Sequence, residues 1–439
     1  MKKYLEIIFY VSFSAGMAFG TSSFMMISGL FEITTTVWVI IAIFLSGLLC
    51  IFISASVAEL ASMYPSSPGI RTYLKVAFDN RISLTLCYLY LIFMVLIAGV
   101  ESYMFALVAR VIFPNLPTMG IVLGLLAFTI IVNMLGWELP RGLQIITTIM
   151  LLLCVIVLGL YGVVHASQGT ERLLSFEAGD SLLRQFKLLP AAIIMAVFLF
   201  TGFEWVTLLG FSAKAYEHRI PLSMPLAIIT LLLAYAILAL GLSSQLPRQT
   251  ITATPIPQVP YFIKLLGESG GYVAWGISML AIFSTFNAGI MGGGRLIYVL
   301  TREGNLPKWC AKISLRTGAP VGGIIVLGSL AVISSVLVVT YELELLAAVV
   351  GSAIVSFVYA AFMLAVIVLR KKQPKARRTF RTPVPGWLQW LLILLLPTMG
   401  LMSLFSQVNM HYQPAVTLGC LIILASGFAR WSLHRTSHQ

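Results

Sequence analysis

Charged residues are missing from this chain over distances that a membrane-spanning helix explains best. Runs without a single Asp, Glu, Lys or Arg occupy 7–31, 33–58, 82–100, 111–137, 142–170, 188–203, 220–247, 269–294, 317–341, 345–369 and 382–429. A helix crosses the hydrocarbon core with about 20 apolar residues, so each of the first ten runs predicts one crossing. The last has room for two, with the polar stretch Val408 to Pro414 as the turn between them. Twelve helices are therefore expected, in an all-α integral membrane protein. Composition agrees: 59% hydrophobic and 10% charged residues, with a mean hydropathy of +0.98, exclude both a soluble globule and a disordered chain.

A formal charge of +13 would suggest a nucleic-acid partner if the chain were soluble. The placement of the cations gives another reading. With the run after Met1-Lys2-Lys3 kept as helix one, both termini share a side, and 22 of the 28 Lys and Arg lie on it. The positive-inside rule makes that side cytoplasmic. The cations then face anionic lipid, with Arg370 to Arg381 as an anchor between helices ten and eleven, and no nucleic acid is expected. Five single cysteines, Cys50, Cys87, Cys154, Cys310 and Cys420, show no metal-ligand spacing. Gly292-Gly293-Gly294 is followed by Arg295 and lacks the Lys-Ser/Thr of a phosphate loop. Neither a metal nor a cofactor is expected.

Two spans carry residues that a plain lipid-facing helix avoids. Helix one reads Gly16-Met17-Ala18-Phe19-Gly20-Thr21-Ser22-Ser23-Phe24. Two glycines four apart followed by three hydroxyls predict an unwinding point, or else a close-packing face between helices. Helix six reads Phe198-Leu199-Phe200-Thr201-Gly202-Phe203-Glu204-Trp205, with a glycine and a carboxylate at bilayer depth, where a charge is by default a functional feature. Two interrupted helices, each opening a run of five, predict an inverted repeat of helices 1–5 (5–165) and 6–10 (187–370), with accessory helices 11–12 (386–432). Unpaired N–H groups where helix one resumes would face a carboxylate, and orphan carbonyls where helix six stops would face an ammonium.

These segments resemble the amino acid–polyamine–organocation superfamily of transporters. Gly20 to Phe24 is similar to that family's Gly-Ser-Gly-Ile-Phe loop, and Phe200 to Glu204 to its Phe-x-Gly-Phe-Glu segment. Ala58 to Pro65 with Pro68, Gly69 and Tyr73 resembles the loop after helix two. Gly294 to Tyr298 with Arg302 to Pro307 resembles the pattern closing helix eight. The resemblance implies a LeuT-like fold, with helices one and six discontinuous around a substrate. It departs at Ser22, where the family has a second glycine, and near Met150 or Leu151, where many members carry a lysine. Glu101 is an acid that the family pattern does not demand.

The resulting expectation is a secondary active transporter of the cell membrane, a permease or antiporter that moves amino acids or related amines by alternating access. Gly20, Thr21, Ser22, Ser23, Phe24, Phe200, Thr201, Gly202, Phe203, Glu204 and Glu101 would bind substrate. Phe198 and Trp205 would gate, or simply pack. Glu204 would sense an amine and carry a proton, or be a structural acid. Asn287, with Ser284 and Thr285, would offer oxygens to Na⁺, unless the hydroxyls bond back to their own helix. Coupling by H⁺ or Na⁺, or none in an exchanger, stays open. Glu101 would lie in the site, near the outer surface, or beside Arg110. Arg71, Lys75, Asp79, Arg295, Arg302 and Glu303 would form an inner gate or be snorkelling charges. A polyamine or other organocation is the alternative substrate, favoured if Glu101 faces the site. A channel or a membrane-embedded enzyme is the remote alternative.

Overall fold

The computed structural model describes residues 2–65, 69–136, 141–166, 181–208, 214–405 and 412–437. Among them all regular structure is helical. In order come α1 (Lys2–Ala18), α2 (Ser22–Ile33), α3 (Thr36–Met63), α4 (Gly69–Ala77), α5 (Asn80–Ile112), α6 (Thr118–Met134), α7 (Arg141–Val164), α8 (Leu182–Phe198), α9 (Ile220–Gln245), α10 (Arg248–Thr252), α11 (Gln258–Leu266), α12 (Ser269–Arg302), α13 (Val321–Tyr341), α14 (Glu344–Lys372), α15 (Gly386–Ser403) and α16 (Gln413–Ser437). Short 3₁₀ segments cover Phe203–Leu208 and Lys308–Ala311, and a π turn covers Ala215–Arg219.

Ten of these stretches are long and apolar enough to cross a bilayer, and α1 with α2, bent by 56°, make an eleventh if counted as one span. The 17 residues of α6 are equally apolar and slightly shorter. With no water in the hydrocarbon core, each backbone group must bond within its own helix, which is why uncharged runs appear as long helices. The chain is a multi-pass membrane protein. Val408–His411, in the turn expected between the last two helices, lies outside the described residues, as does Pro68 of the loop after α3.

Among the described residues the buried apolar side chains form one large cluster through most of the bundle and three smaller ones beside it. The bundle's most enclosed member is α14, 83% buried over its most apolar window, whereas α16 is 22% buried and lies at the lipid-facing edge. At the bundle interior, helices touch through small residues: a Cβ on Gly323 would strike the Gly294 backbone, and one on Gly241 would lie 2.7 Å from the Gly159 carbonyl oxygen. Such contacts let dispersion act between backbones where lipid removes the hydrophobic driving force.

Two buried ion-pair clusters link elements at the end of the bundle where α3 stops and α14 stops. Glu59 of α3 is fully buried and accepts both arms of the Arg370 guanidinium, at 2.9 and 2.6 Å, as well as the Thr382 backbone N–H at 2.8 Å. Arg378 lies 3.3 Å from the same carboxylate. Arg370 is thus more than the topological anchor that its charge run suggested. Arg71 of α4, 1% exposed, donates to Glu303 (2.7 Å), Ser83 (2.7 Å) and Asn80 (2.8 Å), and Lys75 joins Glu303 at 2.9 Å. Asp79 stands apart from this cluster as the N-cap of α5, accepting from the Ile82 N–H at 3.0 Å.

Candidate functional site

The first break falls between Ala18 and Ser22. α1 stops where Phe19 donates to the Ala15 carbonyl, and the chain restarts through a loose turn, Ser23 N–H to Gly20 O at 3.2 Å and Phe24 N–H to Thr21 O at 3.4 Å. A helix end leaves carbonyls and N–H groups without partners, and side chains from distant helices supply them here. Tyr235 of α9 donates its hydroxyl to the Ala18 carbonyl at 3.3 Å and lies 3.1 Å from the Ser23 hydroxyl. Phe19 stacks on the Tyr235 ring at 5.1 Å, and Phe24 meets Phe19 edge-on at 5.8 Å.

At the start of α2 the partner is Glu101. Its carboxylate accepts the Ser22 backbone N–H at 3.2 Å and also the Ser22 hydroxyl. The positive end of the α2 dipole and two charge-assisted hydrogen bonds offset part of the cost of burying this group, which is 3% exposed. Glu101 thus sits neither at the outer surface nor beside Arg110. It occupies the position where the N–H groups were expected to meet a carboxylate from outside the chain. Gly20 makes room for it: a Cβ at Gly20 would run into the Glu101 carboxylate. Thr21 is buried beside it, and its hydroxyl has no hydrogen-bond partner.

The second break follows α8. Successive short turns, Leu199 N–H to Ala196 O, Phe200 N–H to Val197 O and Thr201 N–H to Phe198 O, each 3.1 Å, tighten the helix before it gives way at Gly202. Gly202 has φ +115°, a conformation that side-chain-bearing residues rarely adopt. Glu204, fully buried in the following 3₁₀ segment, accepts from Tyr90 of α5 (2.8 Å), Tyr359 of α14 (2.9 Å) and the Gly202 N–H (3.2 Å). Among the described residues no cation pairs with Glu101 or Glu204. Thr201 bonds back to the Val197 carbonyl at 3.1 Å, Phe203 leans on Tyr359 at 5.7 Å, and Phe200 meets Tyr235 edge-on at 5.7 Å. Phe198, at the end of α8, is buried in the main core.

The two breaks touch. A Cβ on Gly202 would stand 3.1 Å from the Met17 carbonyl oxygen and 3.3 Å from the Ala18 Cα, so the chain segments meet backbone to backbone. Beside them, between α5, α12, α13 and the 3₁₀ segment, lies a cavity of about 30 Å³ bordered by Glu101, Trp205, Thr285 and apolar side chains. That is room for water, not for an amino acid. Trp205 presses its ring on Gly289 of α12, where an added Cβ would lie 2.7 Å from Cζ3. A larger groove, about 540 Å³ between α5, α12, α13 and α16, is lined almost wholly by aliphatic and aromatic side chains and contains none of the residues expected to bind substrate.

Two hydroxyls of α12, those of Thr285 and Ser284, are already engaged. Thr285 donates to the Gly16 carbonyl at 3.3 Å, and the Gln144 amide of α7 donates to Ser284 at 2.8 Å and to Thr148 at 3.2 Å. Gly16 packs against all three of these α7 and α12 side chains, Thr148, Ser284 and Gln144, so this glycine does serve close packing. Asn287 is half-buried, with an unpartnered side-chain carbonyl, and does not border the cavity. Leu151 is buried, whereas Met150 is 53% exposed and faces outward. The residues that sequence reasoning missed are Tyr90, Tyr235, Tyr359 and Gln144. For the three tyrosines the local signal was a hydroxyl inside an apolar run, since a buried hydroxyl needs a partner; for Gln144 it was an amide at the start of one.

This geometry has relatives. The sequence matches the amino acid permease family over residues 5–425. It is 24% identical over 398 residues to the L-asparagine permease of Salmonella typhimurium, covering 87% of this chain and 80% of that one. It is 22% identical over 395 residues to the human cystine/glutamate transporter, covering 88% and 77%. The matches to two uncharacterized Bacillus subtilis amino acid permeases, at 26% and 22% identity, span 65% and 64% of those proteins' lengths. In fold the chain is similar to a manganese transporter of Eremococcus coleocola, with a TM-score of 0.64 at 11% identity over 100% of this chain and 96% of that one. The chain belongs to the amino acid permease family.

Proposed function

We propose that the protein is a secondary active transporter that carries amino acids or related amines across the cell membrane by alternating access. In this reading twelve helices cross the bilayer, helices one and six are discontinuous, and two inverted repeats, 5–165 and 187–370, rock about the substrate, with 386–432 accessory and both termini cytoplasmic. The single observation that carries it is the meeting of the two breaks at Gly202 and Met17–Ala18, each held open by a buried carboxylate bonded to freed backbone N–H groups. Broken helices at bilayer depth are tolerated where they are enclosed by protein or line a cavity, and they place dipole ends at one point.

The two buried ion-pair clusters at Glu59–Arg370 and Arg71–Glu303 hold the cytoplasmic end shut in this state, and their parting opens it. The small volume beside the breaks fits an occluded state. Proton coupling through Glu204, sodium coupling, or ion-free exchange are separated by one experiment. The purified protein is placed in proteoliposomes and uptake of an amino acid and amine panel is measured with and without imposed H⁺ and Na⁺ gradients. Saturable uptake supports the transporter reading; non-saturating conductance points to a channel.

A further inference from the structure

The cavity beside the breaks has one ionisable group on its border, Glu101. The rest of the wall is the indole of Trp205, the hydroxyl of Thr285, which is turned to Gly16, and apolar side chains such as Met94, Ile97, Phe286 and Leu327. Among the described residues no Lys, Arg or His pairs with Glu101.

The anion seat at the start of α2 is filled. Ser22 gives its N–H and its hydroxyl to Glu101, and Gly20 clears the way. A zwitterion would bring a second carboxylate to a desolvated place already holding one, and like charges there repel strongly. An ammonium supplies the charge that this seat lacks. Glu204, the other buried carboxylate, is turned to Tyr90, Tyr359 and the Gly202 N–H and does not border the cavity, so the second ammonium of a diamine would find no partner there.

We infer that this cavity takes a monocationic amine with an apolar body, its ammonium on Glu101 and its body against Trp205 and the apolar wall, and that Glu101 acts as a tethered carboxylate that excludes amino acids. The inference rests on the proposed transport site at the two breaks. Trp205 adds a ring face for the cation. At about 30 Å³ the cavity has room for a water-sized group only, so its walls part when the amine binds.

Isoamylamine and leucine share one apolar body and differ by the carboxylate, and putrescine carries two ammonium groups. Binding of each to the full-length protein is measured by calorimetry, on the wild type and on Glu101→Gln, Glu101→Ala and Gly202→Leu. The wild type is expected to bind isoamylamine at least about tenfold more tightly than leucine or putrescine. Glu101→Gln, which keeps an acceptor for the Ser22 N–H, is expected to lose that preference. Glu101→Ala is expected to gain leucine, whose carboxylate reaches the vacated N–H. Wild type that fails to bind isoamylamine, or binds leucine or putrescine as tightly, overturns the inference whether or not the variants fold. If leucine is preferred and Gly202→Leu abolishes its binding, the amine assignment falls and the site at the breaks stands. If Gly202→Leu binds every probe as the wild type does, the site itself lies elsewhere.

Discussion

Gly20 and Glu101 are 81 positions apart in sequence, yet the backbone of one is the clearance for the carboxylate of the other: a methyl group on Gly20 would collide with the Glu101 side chain. Gly20→Ala must therefore push Glu101 off Ser22. The expected outcome is loss of uptake together with a thermal destabilisation of about 1–3 kcal/mol, the usual cost of a strained core or of a buried polar group left unpaired. Uptake and melting of the detergent-purified variant check both parts.

Glu59 and Arg370 form a bidentate pair with Glu59 fully enclosed. Arg370→Met removes the bidentate partner and leaves Glu59 with Arg378 and the Thr382 N–H, so it is expected to cost about 1–3 kcal/mol, less than a fully unpaired buried charge, while the double change with Glu59→Gln recovers part of that loss. Thermal melting of the wild type, Arg370→Met, Glu59→Gln and the double variant gives the coupling. Additive losses would mean that the pair contributes little.

Glu204 is faced by Tyr90 from α5 and Tyr359 from α14. If Glu204 is the proton carrier, Glu204→Gln flattens the pH dependence of uptake in proteoliposomes. A profile unchanged from wild type removes Glu204 from coupling and leaves it as a structural acid pinned by two tyrosines.

Cys310 lies outside the spanning helices, on the 3₁₀ segment Lys308–Ala311, buried among apolar side chains. Burial pushes its thiol above the ordinary cysteine range, with Arg435 drawing it partly back. A raised pKa leaves the neutral thiol at pH 7, so maleimide labelling of Cys310 is expected to be slow there and to rise at alkaline pH. Fast labelling at pH 7 would contradict the packing around this turn.

The spans were legible because their signal is local and redundant: 25 uncharged residues at 7–31 or 317–341 can be little else. The turn residues at Gly202 stood out for a related reason, since a glycine and a glutamate inside an apolar run carry a visible cost. The partners of those breaks were not legible. Tyr235 reaches Ala18 across 217 positions, Tyr359 reaches Glu204 across 155, and Arg370 reaches Glu59 across 311. Nothing within a helix's own sequence shows which neighbour will face it. Glu101 was visible as an anomaly but not as the filler of the α2 end, because its direction depends on how α5 packs on α2. Asp79, read as a gate residue or a snorkelling charge, also caps α5; a capping carboxylate and a gate charge look alike in a sequence.

The account stands on substrate passing where the two breaks meet. Gly202, with φ +115° and a Cβ position 3.1 Å from the Met17 carbonyl oxygen and 3.3 Å from the Ala18 Cα, is both strained and tight for a side chain. Uptake by Gly202→Leu in proteoliposomes, with membrane insertion verified on the same samples, is the most direct measurement. The expected result is a correctly inserted protein with uptake lost; inserted protein with wild-type uptake would contradict the account.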